Sequence, residues 1–482
     1  MMAAAMLQKY KKVLIIDPPT GLFIREDRCQ APVNDIGVTI MRPSIESAYM
    51  AAVLEKAGCV CLMRDYSTEK KSWDDFRDDL VSFSPDVVVV NVTTPSVHRD
   101  MRACLLAKGH DSKVLTVGKG AHFLSFDQEI LAQYPALDVV IRQEEELTAL
   151  ELISGKDIKD IAGITHRFGP GIVRNQDRAF IDNLDDLPFP ARHLLKNELY
   201  VRLDTGKPQT TIQAARGCPA RCVFCLAHKL SGHRLRQRSP ENICDEIELC
   251  VREYNITSFF LRADTFTYDS KWVIRICEEI CRRKLKIEWV CNGRADTLSA
   301  PMLDAMKKAG CYGMTMGIES GSQFILDKIN KGIKLQQVRD AVRLCRQKGV
   351  FIDGYFMIGF PWDTPETVQE TLNFALSLDL DAADFFIAYP FPGTDLFDIM
   401  RECDVFDPAF LESVPPYAGA AARTQTMTQA ELLKCKRRMF RAFYFRPLFL
   451  FRTLFKFRSP ATLLRCIRVG LGVWQKSLWP WH

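Results

Sequence analysis

A strong net charge is the first thing this sequence lacks: 64 Lys and Arg stand against 59 Asp and Glu, leaving +5 over 482 residues. So weak a field gives no electrostatic footprint for nucleic acid, and no nucleic-acid partner is expected. An export signal is also missing, because the apolar residues Met1 to Leu7 precede the lysines instead of following them. Nor is there a compact disulfide framework. The 17 cysteines are scattered, so a reducing, cytoplasmic location is expected.

What is present is the balance of a globular protein, 47% apolar and 26% charged, with length enough for two or three domains. Residues 1–155 alternate apolar runs with amphipathic segments. Residues 13–16 read as a strand, and Ile45, Ala48, Tyr49, Ala52 and Val53 make one helix face that Gly58 stops. Strands at 61–63, 87–92 and 114–117 then alternate with helices near 73–83 and 101–107. This pattern predicts an α/β, doubly wound, Rossmann-like parallel sheet. Loops 17–21, 93–95 and 118–122 would fall at the carboxyl ends of its strands, where such sheets bind ligands. Simple chain turns are the alternative use of their Gly and Pro.

Residues 156–208 lack long periodic segments and contain Leu187-Pro188-Phe189-Pro190, so they read as a linker. From 209 to 405 strand and helix alternate again through six units, which predicts an open, partial parallel (β/α)6 barrel. Residues 406–482 read as a helical C-terminal extension. Within it, 434–482 holds twelve Lys or Arg and no Asp or Glu, interleaved with aromatics such as Phe440, Phe443, Tyr444 and Phe449. Arginines interrupt its apolar runs well before the roughly 20 residues a membrane span needs. Such a segment suits an anionic lipid surface, or a cap that packs its aromatics on the barrel.

Cys218, Cys222 and Cys225 form a CxxxCxxC triplet just after the first barrel strand. Three thiolates can hold three irons of a 4Fe–4S cube and leave the fourth open, where a sulfonium cofactor can chelate and accept an electron. On spacing alone a zinc site with His228 as fourth ligand, or ordinary buried thiols, stay open.

With its triplet the sequence resembles the radical S-adenosylmethionine superfamily, in the group with an N-terminal cobalamin-binding domain that includes class B methyltransferases and anaerobic Mg-protoporphyrin cyclase-like proteins. The resemblance also rests on Leu187-Pro188-Phe189-Pro190-Ala191-Arg192, Gly317-Ile318-Glu319-Ser320-Gly321-Ser322, Met357-Ile358-Gly359-Phe360-Pro361-Trp362-Asp363-Thr364 and Pro390-Phe391-Pro392-Gly393-Thr394, in that order. It implies that Cys218, Cys222 and Cys225 ligate the cluster and that Phe224 lies near the adenine of S-adenosylmethionine. It also implies that Glu319 and Ser320 meet the cofactor's ribose and methionyl end, Arg294 its carboxylate, and Asp264 with Thr265 its ammonium. A surface ion pair or loop cap is the alternative for these last positions.

The resemblance further implies cobalamin in the first domain, a small-molecule substrate, and an electron donor such as flavodoxin or ferredoxin. The DxHxxG motif for histidine ligation of cobalt is absent, and Lys119 in Gly118-Lys119-Gly120-Ala121-His122 departs from the usual Gly-Gly-x-His turn. A bulky side chain there is expected to hinder a close approach of the corrin. The expected activity is cobalamin-dependent radical methylation of an unactivated carbon or phosphorus. The alternatives are a radical cyclase or oxidoreductase of the same architecture, and a catalytically silent binding protein.

Overall fold

The structure, a computed structural model, describes residues 9–26, 30, 42–202, 205–407, 419–447 and 449. Strand and helix alternate first through β1 (Lys12–Asp17), α1 (Ile45–Lys56), β2 (Val60–Asp65), α2 (Trp73–Phe83) and β3 (Val87–Asn91). They continue through α3 (Val97–Asp100), α4 (Arg102–His110), β4 (Leu115–Lys119), α5 (Asp127–Gln133), β5 (Val139–Ile141) and α6 (Glu146–Ile153). All five residues of β3 are buried, as expected of a parallel strand covered by helices on both faces. Ser72 starts α2 through a reciprocal cap: its hydroxyl accepts from the Asp74 and Asp75 amides, and its own amide donates to the Asp75 carboxylate. The sheet order is β2-β1-β3-β4-β5, so the strand order reverses between β1 and β3.

The sheet does not stop at residue 155. β6 (Ile164–Phe168) and β7 (Gly171–Arg174) add an antiparallel hairpin to its edge, inside the stretch the sequence reads as linker. β7 is mostly exposed, so it carries no apolar alternation by which a strand could be recognised.

After the linker come β8 (Gln209–Gln213) and β9 (Ala215–Arg216), then α7 (Ala227–Ser231) and β10 (Arg236–Gln237), which pairs back on β9. The barrel proceeds as α8 (Pro240–Tyr254), β11 (Ser258–Arg262), α9 (Ser270–Arg282), β12 (Glu288–Gly293), α10 (Ala300–Lys308) and β13 (Cys311–Glu319). It ends with α11 (Gln323–Lys328), α12 (Leu335–Gln347), β14 (Phe351–Ile358), α13 (Pro365–Ser377), β15 (Ala382–Ile387), α14 (Asp395–Glu402) and α15 (Gln429–Tyr444). Six parallel strands stand in the order β8-β11-β12-β13-β14-β15, the open partial barrel that the alternation predicts. α15 covers the β15 edge: the Tyr444 hydroxyl accepts from the Ala383 amide at 3.2 Å and donates to its carbonyl at 3.1 Å. Phe443 of α15 is buried beside Phe385. The basic aromatic residues beyond position 449 lie outside the described residues, within which no helix is long and apolar enough to cross a membrane.

One buried network fixes the linker and both domains together. Arg192, which ends the Leu-Pro-Phe-Pro-Ala-Arg run, donates to Thr210 Oγ1 at 2.6 Å, to the Thr211 carbonyl at 2.8 Å, and to Glu246 of α8. Arg238 pairs with the other oxygen of Glu246 and donates to the Tyr49 hydroxyl of α1 at 3.0 Å. Burial raises the Glu246 carboxyl, but Arg238 and Arg192 overcome it and hold the group below its ordinary value. Glu246→Ala leaves two buried guanidiniums unpaired, and is expected to lower stability by about 3–5 kcal/mol, read as a fall in the urea midpoint. The exposed Glu253→Ala control should move it by less than about 0.5 kcal/mol.

Candidate functional site

The cysteine loop leaves β9 through Gly217, whose φ of +91° and position 2.1 Å (for a built Cβ) from the Arg234 carbonyl admit no side chain. Its amide donates to Asp264 Oδ2 at 2.6 Å, which ties the loop to the end of β11. Cys218 Sγ lies 3.3 Å from Thr265 Oγ1, and the Cys225 sulfur accepts from the Ala227 amide at 3.5 Å. Asp264 and Thr265 therefore brace the loop. Cys218 and Cys222 are buried and Cys225 is half-buried. Burial raises the Cys222 thiol, against the pull of Lys331 and Arg294.

These thiols suit a cube better than a single ion. Among the described residues no three His, Cys, Asp or Glu groups converge on one metal ion, whereas in a cube each thiolate takes a different iron. His228 stacks on His233 instead, with centroids 4.9 Å apart.

Beside the loop stands a residue that sequence reasoning missed. Lys331 is buried, donates from Nζ to Glu319 Oε1 at 2.6 Å, and lies 5.9 Å from the centre of the Phe224 ring. Burial works against its charge, but Glu319 and the Cys222 thiol outweigh this and raise it above the ordinary lysine value. Arg294 donates to the Lys331 carbonyl at 2.9 Å and twice to Asp296 at 3.0 Å. Phe224 also faces Phe360, 5.9 Å between centroids. Glu319 reaches this cluster from a backbone bent to φ +66°, where the β13–β14 register shifts. Gly317 makes room: a Cβ there would lie 2.5 Å from Glu319 Oε1 and 2.9 Å from Lys331 Nζ.

The structure thus brings Phe224, Arg294 and Glu319 together around Lys331, next to the cysteines. Ser320 is placed differently. Its hydroxyl pairs with Thr371 Oγ1 at 3.0 Å and accepts from the Ser322 amide at 3.1 Å, so it secures the turn that follows β13. Lys331 sits in a non-periodic loop between Asn330 (φ +53°) and Gly332 (φ +71°), and a loop lysine is ordinarily solvated. Nothing in the sequence sets it apart.

The strand ends of the first domain meet this mouth. Glu146 and Glu144 pair with Arg216, Glu144 pairs with Arg236 at 2.6 Å, and Gln143 donates to the Lys229 carbonyl at 3.1 Å. At the β1/β3 reversal, Asn91 donates to Asp17 Oδ1 at 2.7 Å and to Ser44 Oγ at 3.1 Å. Burial, with repulsion from Asp65, pushes Asp17 up to about 7.

The expected obstruction by Lys119 is not what the structure shows. The lysine is buried and its ammonium is held by Ser47 Oγ at 3.0 Å and by Glu145. Gly120 is needed because a Cβ would lie 2.2 Å from the Val92 carbonyl. His122 is buried with Nδ1 3.3 Å from Thr94 Oγ1, while Nε2 has no partner among the described residues. Burial pushes it down to about 3, so the ring is neutral. An orphaned polar atom at the strand-end face fits a ligand's hydrogen-bonding group, and the residues present are compatible with a corrin bound there.

Residues 212–375 match the Radical SAM superfamily and residues 42–153 match the B12 binding domain. An uncharacterized methyltransferase of Pyrococcus horikoshii is 32% identical over 485 residues, spanning 97% of this chain and 100% of that protein. This chain belongs to the cobalamin-binding group of the radical SAM superfamily. It is a radical SAM enzyme whose cofactors are a 4Fe–4S cluster, S-adenosylmethionine and cobalamin. An anaerobic magnesium-protoporphyrin IX monomethyl ester cyclase of Rubrivivax gelatinosus is 28% identical, over 84% of this chain and 74% of that one. The radical S-adenosylmethionine methyltransferase TsrM of Kitasatospora setae, solved with cobalamin and a [4Fe-4S] cluster, shares the fold with a TM-score of 0.65. Its identity is 17%, over 91% of this chain and 82% of that one.

Cys222→Ala is expected to abolish the cluster's visible absorbance after anaerobic reconstitution and to reduce S-adenosylmethionine cleavage to background, with the circular dichroism spectrum unchanged. Undiminished cleavage would remove the triplet from the chemistry.

Proposed function

We propose that this radical SAM enzyme transfers methyl groups to an unactivated carbon or phosphorus atom of a small molecule. The observation that carries the reading is the apposition of two strand-end faces: the B12-matching sheet packs its loops against the cysteine loop of the barrel. Ala121 of the first domain packs there with Leu226, Leu230, Tyr389 and Phe391. When bound, the cluster supplies the electron that opens the carbon–sulfur bond of S-adenosylmethionine, and cobalamin supplies a methyl carrier.

In this reading Cys218, Cys222 and Cys225 hold the cluster, and Phe224 walls the adenine. Arg294 and Lys331 offer positive charge to the cofactor's carboxylate, while Glu319 and Asp264 offer acceptors to its hydroxyls and ammonium. Ser320 acts through the turn it secures. The first sheet with its hairpin is the cobalamin domain, and residues 209–405 are the radical domain. The half-buried Cys225 side is where a flavodoxin- or ferredoxin-like donor would deliver its electron.

The cyclase relative favours a second reading, hydrogen abstraction without methyl transfer. Product analysis separates the two. Reduced, reconstituted holoenzyme with methyl-labelled S-adenosylmethionine and a cell extract is expected to release S-adenosylhomocysteine in step with a labelled product. Deoxyadenosine without S-adenosylhomocysteine would move the assignment to the cyclase or oxidoreductase class.

The basic aromatic C-terminal segment is read as a contact for an anionic membrane, or for a lipid-like or macrocyclic substrate. At low salt the full chain is expected to co-sediment with anionic liposomes, and a chain ending at Phe449 is not. Equal sedimentation of both, or of neither, would end the membrane version.

A further inference from the structure

A closed barrel fills its interior with side chains. In this open one the inward face stays partly exposed. Along β12, β13 and β14 the residues facing the helices are buried, whereas Val290, Asn292, Thr315, Gly317, Asp353 and Tyr355, which alternate with them, keep partial exposure. The alternation is confirmed on the outer face, where Phe356 stacks on Phe385 at 5.5 Å and a Cβ on Gly354 would meet Leu380 at 2.7 Å. The inner face lines a lumen. Within it Gly317, Tyr355 and Asp384 share one rung, and Thr315, Asp353 and Ala382 share the rung below.

Gly317 is the residue over which the Glu319–Lys331 pair sits, and on the same inner face Asp384 lies level with it two strands away, with Asp353 one rung deeper on the strand between. Asp384 is 8% exposed, and neither carboxyl has a hydrogen-bond partner among the described residues; Asp353 Oδ1 is fully buried and unpaired. Two buried carboxyls on adjacent strands without a hydrogen-bond partner, only one of which feels a cation (Lys436), are costly to fold, and such an arrangement persists where a ligand relieves it.

We propose that the barrel lumen binds a cationic nitrogen of the substrate, an ammonium or amidinium group, between Asp353 of β14 and Asp384 of β15. This rests on the reading that the lumen beneath the cofactor is the substrate's chamber, and it makes the substrate an amine or amidine. The neighbouring groups agree. Asp353 is raised by burial and by Asp384 and Asp381, and Asp384 is pushed up to about 6 by burial, with Lys436 of α15 opposing. Asp381 is already engaged by Arg346 at 2.7 Å, and the Tyr444 hydroxyl is spent on Ala383. Tyr355 and Phe386, edge to face at 5.2 Å, give the lumen an aromatic wall on which a cation's substituent can rest.

The test compares 2-phenylethylamine with 2-phenylethanol, one skeleton with and without the cationic nitrogen, by calorimetry on the reconstituted holoenzyme. The amine is expected to bind at least tenfold more tightly than the alcohol, and the ratio to fall within twofold in D353N/D384N, whose side chains keep their shape. If the double variant lacks the native circular dichroism spectrum, D384N alone is used, with at least a threefold fall in the ratio expected. No preference in the native enzyme, or an unchanged preference in the variant, overturns the proposal. A holoenzyme that shows the preference but releases no S-adenosylhomocysteine defeats the methyl-transfer reading and leaves the cation site standing.

Discussion

The carboxylate of Glu246, buried between Arg192 and Arg238, is the interaction on which the arrangement of this molecule turns. A charge held in that place is tolerable only if both guanidiniums arrive from the correct direction, since the desolvation of all three groups must be offset by close pairing. One guanidinium comes from the linker and the other from the segment before α8. Tyr49 of the first domain completes the set. Arg262 with Glu46, and Arg216 with Glu144 and Glu146, repeat the device along the seam. The relative placement of the two sheets is thus set by directional contacts, which specify an orientation where apolar packing would allow sliding.

That orientation brings two sets of strand ends to one place. Parallel sheets leave their ligand-binding loops at the carboxyl ends of the strands, and here both sheets present those ends to the shared seam. In the proposed methyl transfer cobalamin and the cluster serve one substrate, and the apposition suits that arrangement. The barrel's six strands leave a side open that α15 closes along β15.

Around the cysteines the sign of charge is mixed by design of the backbone. Lys331 and Arg294 supply positive charge beside thiols that must ionise to hold iron, while Glu319 pairs with Lys331. Glu319 can take that position only because β13 accepts a left-handed residue after a glycine too small to obstruct it. Among the described residues Asp353 and Asp384, on the same inner face, have no hydrogen-bond partner, and only Lys436 opposes the rise of Asp384, so the lumen passes from a satisfied ion pair at its mouth to a poorly satisfied acidic pair.

The sequence alone determined the α/β class, the doubly wound sheet, the six-stranded open barrel and the cysteine triplet, because each is written in local periodicity or in short spacing. Through the family resemblance it also named Phe224, Arg294 and Glu319, which the structure brings together around Lys331. It missed the β6–β7 hairpin, whose outer strand is too exposed to show a period. It misjudged Lys119, whose direction depends on Ser47 and Glu145 far away in the chain. Lys331, the partners of Glu246 and the convergence of Asp353 with Asp384 were decided by tertiary structure alone. A residue's burial, and the charge it meets there, come from segments tens to hundreds of positions distant, and no local pattern encodes them.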